Sequence, residues 1–186
     1  MTITAVDTPS LTAEAAAVLA TTPGMRYAEF LTAAPAVPGI VAVVADDEAR
    51  AALGVATDVL AVDAADESLQ CRRARVAFQS GRTAASPVRQ ALAALLAGTL
   101  DLDVEPTSPG ATGEGFALTP ESEDELTAWM RAHLSLRAWV TQDAASLGEV
   151  AREVAAALKP ALDPADARVG ERLAAMTAAA RRSATI

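Results

Sequence analysis

The chain has 186 residues, 52% of them apolar and 21% charged, with 47 alanines against only 3% aromatics; that balance excludes global disorder and suits one domain with a core of Leu, Val and Ala. A net charge of −9 sets the general expectation against nucleic acid and anionic membranes, and no apolar run approaches the ~18 residues of a membrane span. A single cysteine (Cys71) and a single histidine (His133) exclude an internal disulfide, a multi-cysteine zinc site and a His-rich metal centre.

Residues 1–9 read as a loose tail without a basic n-region or a following apolar run, so no signal peptide is expected and the cytoplasm is the expected compartment. Ser10 or Thr12 is placed to cap a helix through about Ala20, which Thr21-Thr22-Pro23-Gly24 stops. Tyr27, Phe30 and Leu31 have i, i+3, i+4 spacing and predict a short second helix, with Pro35 to Pro38 as a linker. Gly39-Ile40-Val41-Ala42-Val43-Val44-Ala45 is a continuous run rich in β-branched residues and predicts a buried strand. Asp46 is a cap for a short helix to Leu53, with Gly54 as its stop. A second buried strand is expected at Asp58 to Val62. A helix follows from about Asp66 to Phe78, then a loop from Gly81 to Ala85. Ser86-Pro87 is an N-cap followed by proline at the first helical position and opens a helix through about Ala97.

Gly98 to Leu118, with two prolines and three further glycines, is the longest stretch expected to be irregular. Thr119-Pro120-Glu121 starts a helix through Leu134, its acids crowding the positive end, and His133 near the close suits the negative end. Leu136 to Val140 predicts a third strand, with Trp129, Met130 and Trp139 as core residues. Ser146-Leu147-Gly148-Glu149 has the form of a capping box for a helix to Leu158, and Asp163-Pro164 starts the last helix. The fold class expected is α+β: a small three-stranded antiparallel sheet flanked by helices, with N- and C-terminal helical extensions. Strands 39–45 and 58–62 should be antiparallel neighbours, because the short connection between them cannot carry a long crossover.

The order of landmarks resembles the GIY-YIG nuclease superfamily, in particular its small stand-alone members of high-GC bacteria. The residues that carry this are Pro38-Gly39-Ile40-Val41 at the start of a strand, a second strand about 20 residues on, and then Gly81-Arg82-Thr83-Ala84-Ala85-Ser86-Pro87-Val88-Arg89-Gln90 opening a helix. Leu118-Thr119-Pro120-Glu121, Trp129-Met130, His133-Leu134 and a late Lys159-Pro160-Ala161-Leu162-Asp163 follow in order. The resemblance covers residues 36–163 and implies a division into an N-terminal tail with helices (1–35), a GIY-YIG-like domain (36–163) and a C-terminal helix (164–186).

What the resemblance implies chemically is metal-assisted phosphodiester cleavage by strand tyrosines, a helix arginine and a metal-holding glutamate. Carried over position by position, the first tyrosine falls on Val41, the second on Ala61, the arginine on Gln70 and the glutamate on Ala151; the second motif's glycine falls on Asp63. Arg72 would replace Gln70 only with a shift of register, and Glu149 and Glu153 point away from the Ala151 face. Tyr27, the sole tyrosine, lies outside these motifs. A valine or alanine can neither accept a proton nor bind a cation, so a degenerate, non-catalytic member is the expectation, with no catalytic residue, metal or cofactor assigned.

The sharpest local feature is electrostatic. From Ser68 to Leu100 there is no acid but five arginines, Arg72, Arg73, Arg75, Arg82 and Arg89, whereas all 24 acids lie elsewhere. The resemblance puts this segment beside the face that meets DNA in active relatives, and arginine's planar fork suits phosphate. The competing expectation is that these arginines pair with acids of the same chain. Asp46-Asp47-Glu48 is a carboxylate cluster better read as a helix cap than as a cation site. Cys71 among the arginines reads as a small helix residue rather than a reactive thiol. The functional expectation is therefore a binding protein whose partner is a protein, nucleic acid held weakly on the arginine face, or a second copy of the chain, and not a membrane. The alternative is a metal-dependent phosphodiesterase or endonuclease with a relocated active site.

Overall fold

The computed structural model describes residues 8–66, 68–69, 77–107, 115–141, 144–163 and 165–183. Its elements are α1 (Thr8–Thr21), β1 (Met25–Arg26), α2 (Tyr27–Ala33), β2 (Gly39–Ala45), α3 (Asp47–Leu53) and β3 (Val59–Ala65). A 3-10 turn (Thr83–Ala85) then precedes α4 (Pro87–Leu100), β4 (Val104–Pro106), β5 (Phe116–Leu118), α5 (Pro120–His133), β6 (Leu134–Val140), α6 (Leu147–Leu158) and α7 (Ala167–Ser183). The α+β class is as expected. The main sheet has four strands in the order β1-β6-β2-β3 rather than three, every pair antiparallel. The extra strand is β1, which pairs Met25 with Leu136 and Arg26 with Ser135. Two residues show no period of their own, so only their partner strand reveals them.

The two strands either side of α3 pair as the short connection requires, with Val41 opposite Asp63 and Val43 opposite Ala61. A bulge between Val43 and Val44 shifts the register, so that Leu60 and Ala61 both pack towards the same core. All seven residues of β2 are buried. The strand has a partner on each edge and helices on both faces, which is why its sequence is a continuous apolar run rather than an alternating one.

The alternation of side chains along β2 divides the interior into two cores. Ile40, Ala42 and Val44 join Trp139, Ala15 and Leu19 of α1, and Val150, Ala151 and Val154 of α6. Val41, Val43 and Ala45 join Phe30 of α2, Leu92 and Leu96 of α4, Leu126 and Met130 of α5, and Val169 and Ala180 of α7. The terminal helices α1 and α7 each supply fully or nearly fully buried residues, so both extensions are packed into the cores. The stretch 98–118, expected to be irregular, instead continues α4 to Leu100 and adds a two-stranded antiparallel pair, β4 with β5, around fully buried Phe116. Most of the helix expected over 66–78 lies outside the described residues, as does Cys71.

Local capping follows the sequence at α3, α4 and α5, whereas Ser10 and Thr12, expected as caps, lie inside α1, which begins at Thr8. Asp46 Oδ1 accepts the Ala49 N–H at 2.8 Å, and Gly54 closes α3 in the left-handed conformation at φ 63°. Ser86 caps α4 and Thr119 caps α5, each through the amide three residues on. The Ser146 side chain makes no capping bond, and Asp166 rather than Asp163 binds the first amides of α7. Because Asp46 is the one carboxylate on the α3 amides and also lies 3.9 Å from Arg26, Asp46→Ala is expected to cost about 1 kcal/mol of stability. Urea unfolding of the variant against Asp47→Ala, whose partner Arg50 is one turn away on the surface, checks this.

Candidate functional site

Of the five arginines of the acid-free segment, Arg82 and Arg89 are described, and of these only Arg82 faces solvent. Arg89 is fully buried in α4, with its guanidinium 2.6 Å from Glu123 Oε2 of α5. It also donates to Thr83 Oγ1 at 3.1 Å, Thr127 Oγ1 at 3.0 Å, Ala77 O at 3.2 Å and Glu123 O at 3.3 Å. Burial holds its pKa below the usual arginine value, and the Glu123 charge and hydrogen bond offset this only in part. Of the two expectations for Arg89, internal pairing is the one the geometry meets, and this arginine is removed from any solvent-facing anion site. Arg82 is exposed at the start of the 3-10 turn. Arg72, Arg73 and Arg75 lie outside the described residues.

Several contacts fasten the chain on either side of Arg82. Phe78 is fully buried and stacks on Tyr27 with ring centroids 4.8 Å apart. Arg131 of α5 donates to Phe78 O at 3.2 Å, and its guanidinium lies 5.9 Å over the Tyr27 ring. Ser80 donates to Asp124 at 2.6 Å, and the Thr83 amide donates to Glu123 Oε1 at 2.9 Å. Glu123 therefore uses one oxygen for Arg89 and the other for a backbone N–H, which together make a buried carboxylate tolerable.

The sequence marks the acids of α5 as a helix start and does not single out Glu123, Thr83 or Arg131. A signal was present for the first. Glu123 is in phase with Leu126, Thr127 and Met130, and Arg89 with Leu92, Ala93 and Leu96, so two helices each carry one charge of opposite sign inside an apolar stripe.

The described positions matched to family chemistry are not all brought together. Val41 is buried on one face of the sheet and Ala61 packs against the same core, whereas Ala151 belongs to the core on the opposite face. Gln70 lies outside the described residues. Glu153 accepts the Thr12 hydroxyl at 2.7 Å, and Glu149 lies 3.7 Å from Arg152 on the surface. Two open surface depressions, of roughly 430 and 350 Å³, are lined by α7 residues and by the Ala45–Asp58 corner respectively, and neither includes Val41, Ala61 or Ala151.

The carboxylate cluster at the end of β2 is committed to other work. Asp46 caps α3, and Asp47 pairs with Arg50 at 2.5 Å, which raises the arginine's pKa through that hydrogen bond and charge. His133, the last residue of α5, has Nδ1 3.4 Å from Asp46 Oδ2 and its ring 5.2 Å from that of Trp129. Among the described residues no group of three His, Cys, Asp or Glu side chains is placed to hold a metal ion, and no helix is long and apolar enough to cross a membrane. Comparisons with models of known protein families, with curated proteins and with solved structures return no significant match to this chain.

Proposed function

We propose that this chain is a non-catalytic binding protein with a GIY-YIG-like fold, and that it binds nucleic acid weakly through the arginine-bearing face around Arg82. The observation that carries the first half is the fate of the matched positions. Val41, Ala61 and Ala151 are apolar and divided between two cores on opposite faces of one sheet. A working phosphodiesterase site needs a carboxylate, an arginine and a polar base converging on one pocket. The second half rests on exposed Arg82 in a segment of chain that carries no acid from Ser68 to Leu100. A net charge of −9 opposes binding elsewhere, so a localised cationic face is what a polyanion would select.

A titration of labelled DNA with and without Mg²⁺ or Mn²⁺, following anisotropy and strand integrity together, tests both halves. Weak, salt-sensitive binding without cleavage is expected. Arg82→Ala should lower the dependence of log K on log salt by about 0.9, and Arg72→Ala/Arg75→Ala by up to about two, with all sequences affected alike. Metal-dependent nicking that disappears in Glu153→Ala or Arg72→Ala would overturn the non-catalytic reading in favour of a relocated phosphodiesterase site. Absence of binding at low salt would leave a protein partner as the ligand class.

A further inference from the structure

We propose that the buried Arg89–Glu123 pair is a positioning device for the anion-binding face: it holds the segment from Ala77 to Ser86 in the conformation that presents Arg82. Loosening the pair should weaken polyanion binding while the chain stays folded. This rests on the reading of that face given above.

The pair reaches both ends of the segment. Arg89 donates to the carbonyl of Ala77 and the hydroxyl of Thr83, and Glu123 accepts the amide of Thr83. The Arg89 amide in turn donates to the Ser86 hydroxyl at 3.4 Å. Between these anchors Gln79, Ser80, Gly81 and Arg82 are exposed, and Gly81 sits at φ 73°, where glycine moves freely. The Ser80–Asp124 bond is also exposed and adds little hold against water.

Packing α4 against α5 does not require charges. Two apolar side chains of similar volume would hold the helices together at least as well, because burying an ion pair carries a large desolvation cost. What apolar side chains cannot do is bind the Ala77 carbonyl and the Thr83 amide. The particular consequence of having Arg89 and Glu123 here is therefore a fixed path for the chain that carries Arg82. A loosened segment must be ordered again when it meets phosphate. Ordering even one or two residues costs about tenfold or more in affinity.

The deciding variant is Arg89→Met/Glu123→Leu, which keeps the interior filled but removes the pair's side-chain bonds to Ala77 and Thr83, while the Arg131–Phe78, Ser80–Asp124 and Ser86 cap bonds remain. Its fold is monitored by the urea transition and by amide exchange in β2, and its binding by anisotropy of a labelled oligonucleotide at low salt. The expected result is a cooperative transition, unchanged exchange in β2, faster exchange across residues 79–85, and affinity about tenfold or more below that of the unaltered chain. Arg182→Ala, on the far end of α7, is the control and should bind as the unaltered chain does. Affinity of the folded double variant within about twofold of the unaltered chain overturns the proposal.

If Arg82→Ala lowers binding and the double variant does not, only the positioning role fails. If the unaltered chain binds no DNA at low salt, the reading of the face fails and takes this inference with it. Should the double variant not fold, Arg89→Lys decides. It keeps the charge, but its single nitrogen cannot span Glu123, Ala77 and Thr83 together. Weaker binding by folded Arg89→Lys supports the positioning role, and unchanged binding overturns it.

Discussion

Glu123→Ala is expected to lower the unfolding free energy by about 3–5 kcal/mol, because it leaves the Arg89 guanidinium buried without its counter-charge. Arg89 is fully buried, and its other partners are hydroxyls, backbone carbonyls and the Met130 sulfur at 3.6 Å. None of these offsets a full positive charge as a carboxylate at 2.6 Å does. The same change also strips the Thr83 amide of its acceptor, which adds the cost of an unsatisfied buried donor. Arg89→Met/Glu123→Leu should be far milder than either single truncation, since it removes both charges at once and refills the volume. Urea unfolding with a common m-value checks the series. Single truncations that cost no more than about 1 kcal/mol would mean that water reaches the pair.

Gly39→Ala should be nearly as damaging, for a steric reason. A Cβ on Gly39 would stand 2.2 Å from the Trp139 carbonyl oxygen and 3.0 Å from a Leu69 methyl. The first clash is with the backbone of the neighbouring strand, so no rotamer change relieves it. β2 is paired with β6 on that side and with β3 on the other, and both faces are covered by helices. A loss of at least about 2 kcal/mol is expected, in the range of overpacked cores. Gly98→Ala is the matched opposite. Gly98 lies within α4, is exposed, and a Cβ there meets nothing within 4 Å. Alanine at that position should stabilise the chain by about 0.5–1 kcal/mol through helix propensity and a less flexible unfolded state. Thermal unfolding of the two variants side by side should move the midpoint in opposite directions.

Much of the secondary structure was legible because its causes are local. The β-branched run of residues 39–45 predicts a strand covered on both sides, and β2 is one. Asp46, Gly54, Ser86 and Thr119 mark helix ends through bonds to residues at most four positions away, so no distant part of the chain is needed to read them. The helix–strand order and the antiparallel pairing of β2 with β3 follow from the same local marks plus the length of one connection. The capping box at Ser146 shows the limit of such marks, since the residues are present and the side-chain bond is not.

The sequence alone thus marked the long helices and the strands β2, β3 and β6, but not β1, β4 or β5, because caps, periodicity and turn chemistry act over a few residues. At the positions that the family resemblance singles out it places Val41, Ala61, Gln70 and Ala151. Only the tertiary structure decided where those positions lie, with Val41 and Ala61 on one face of the sheet and Ala151 on the other. It alone decided the fate of Arg89, which the charge pattern grouped with Arg82 but which pairs with an acid 34 residues away. The physical reason is that charge along a chain has no facing direction. A guanidinium becomes a binding group or a core group according to which helix face meets which neighbour, and that is settled by how α4 and α5 pack, not by the residues beside it in sequence.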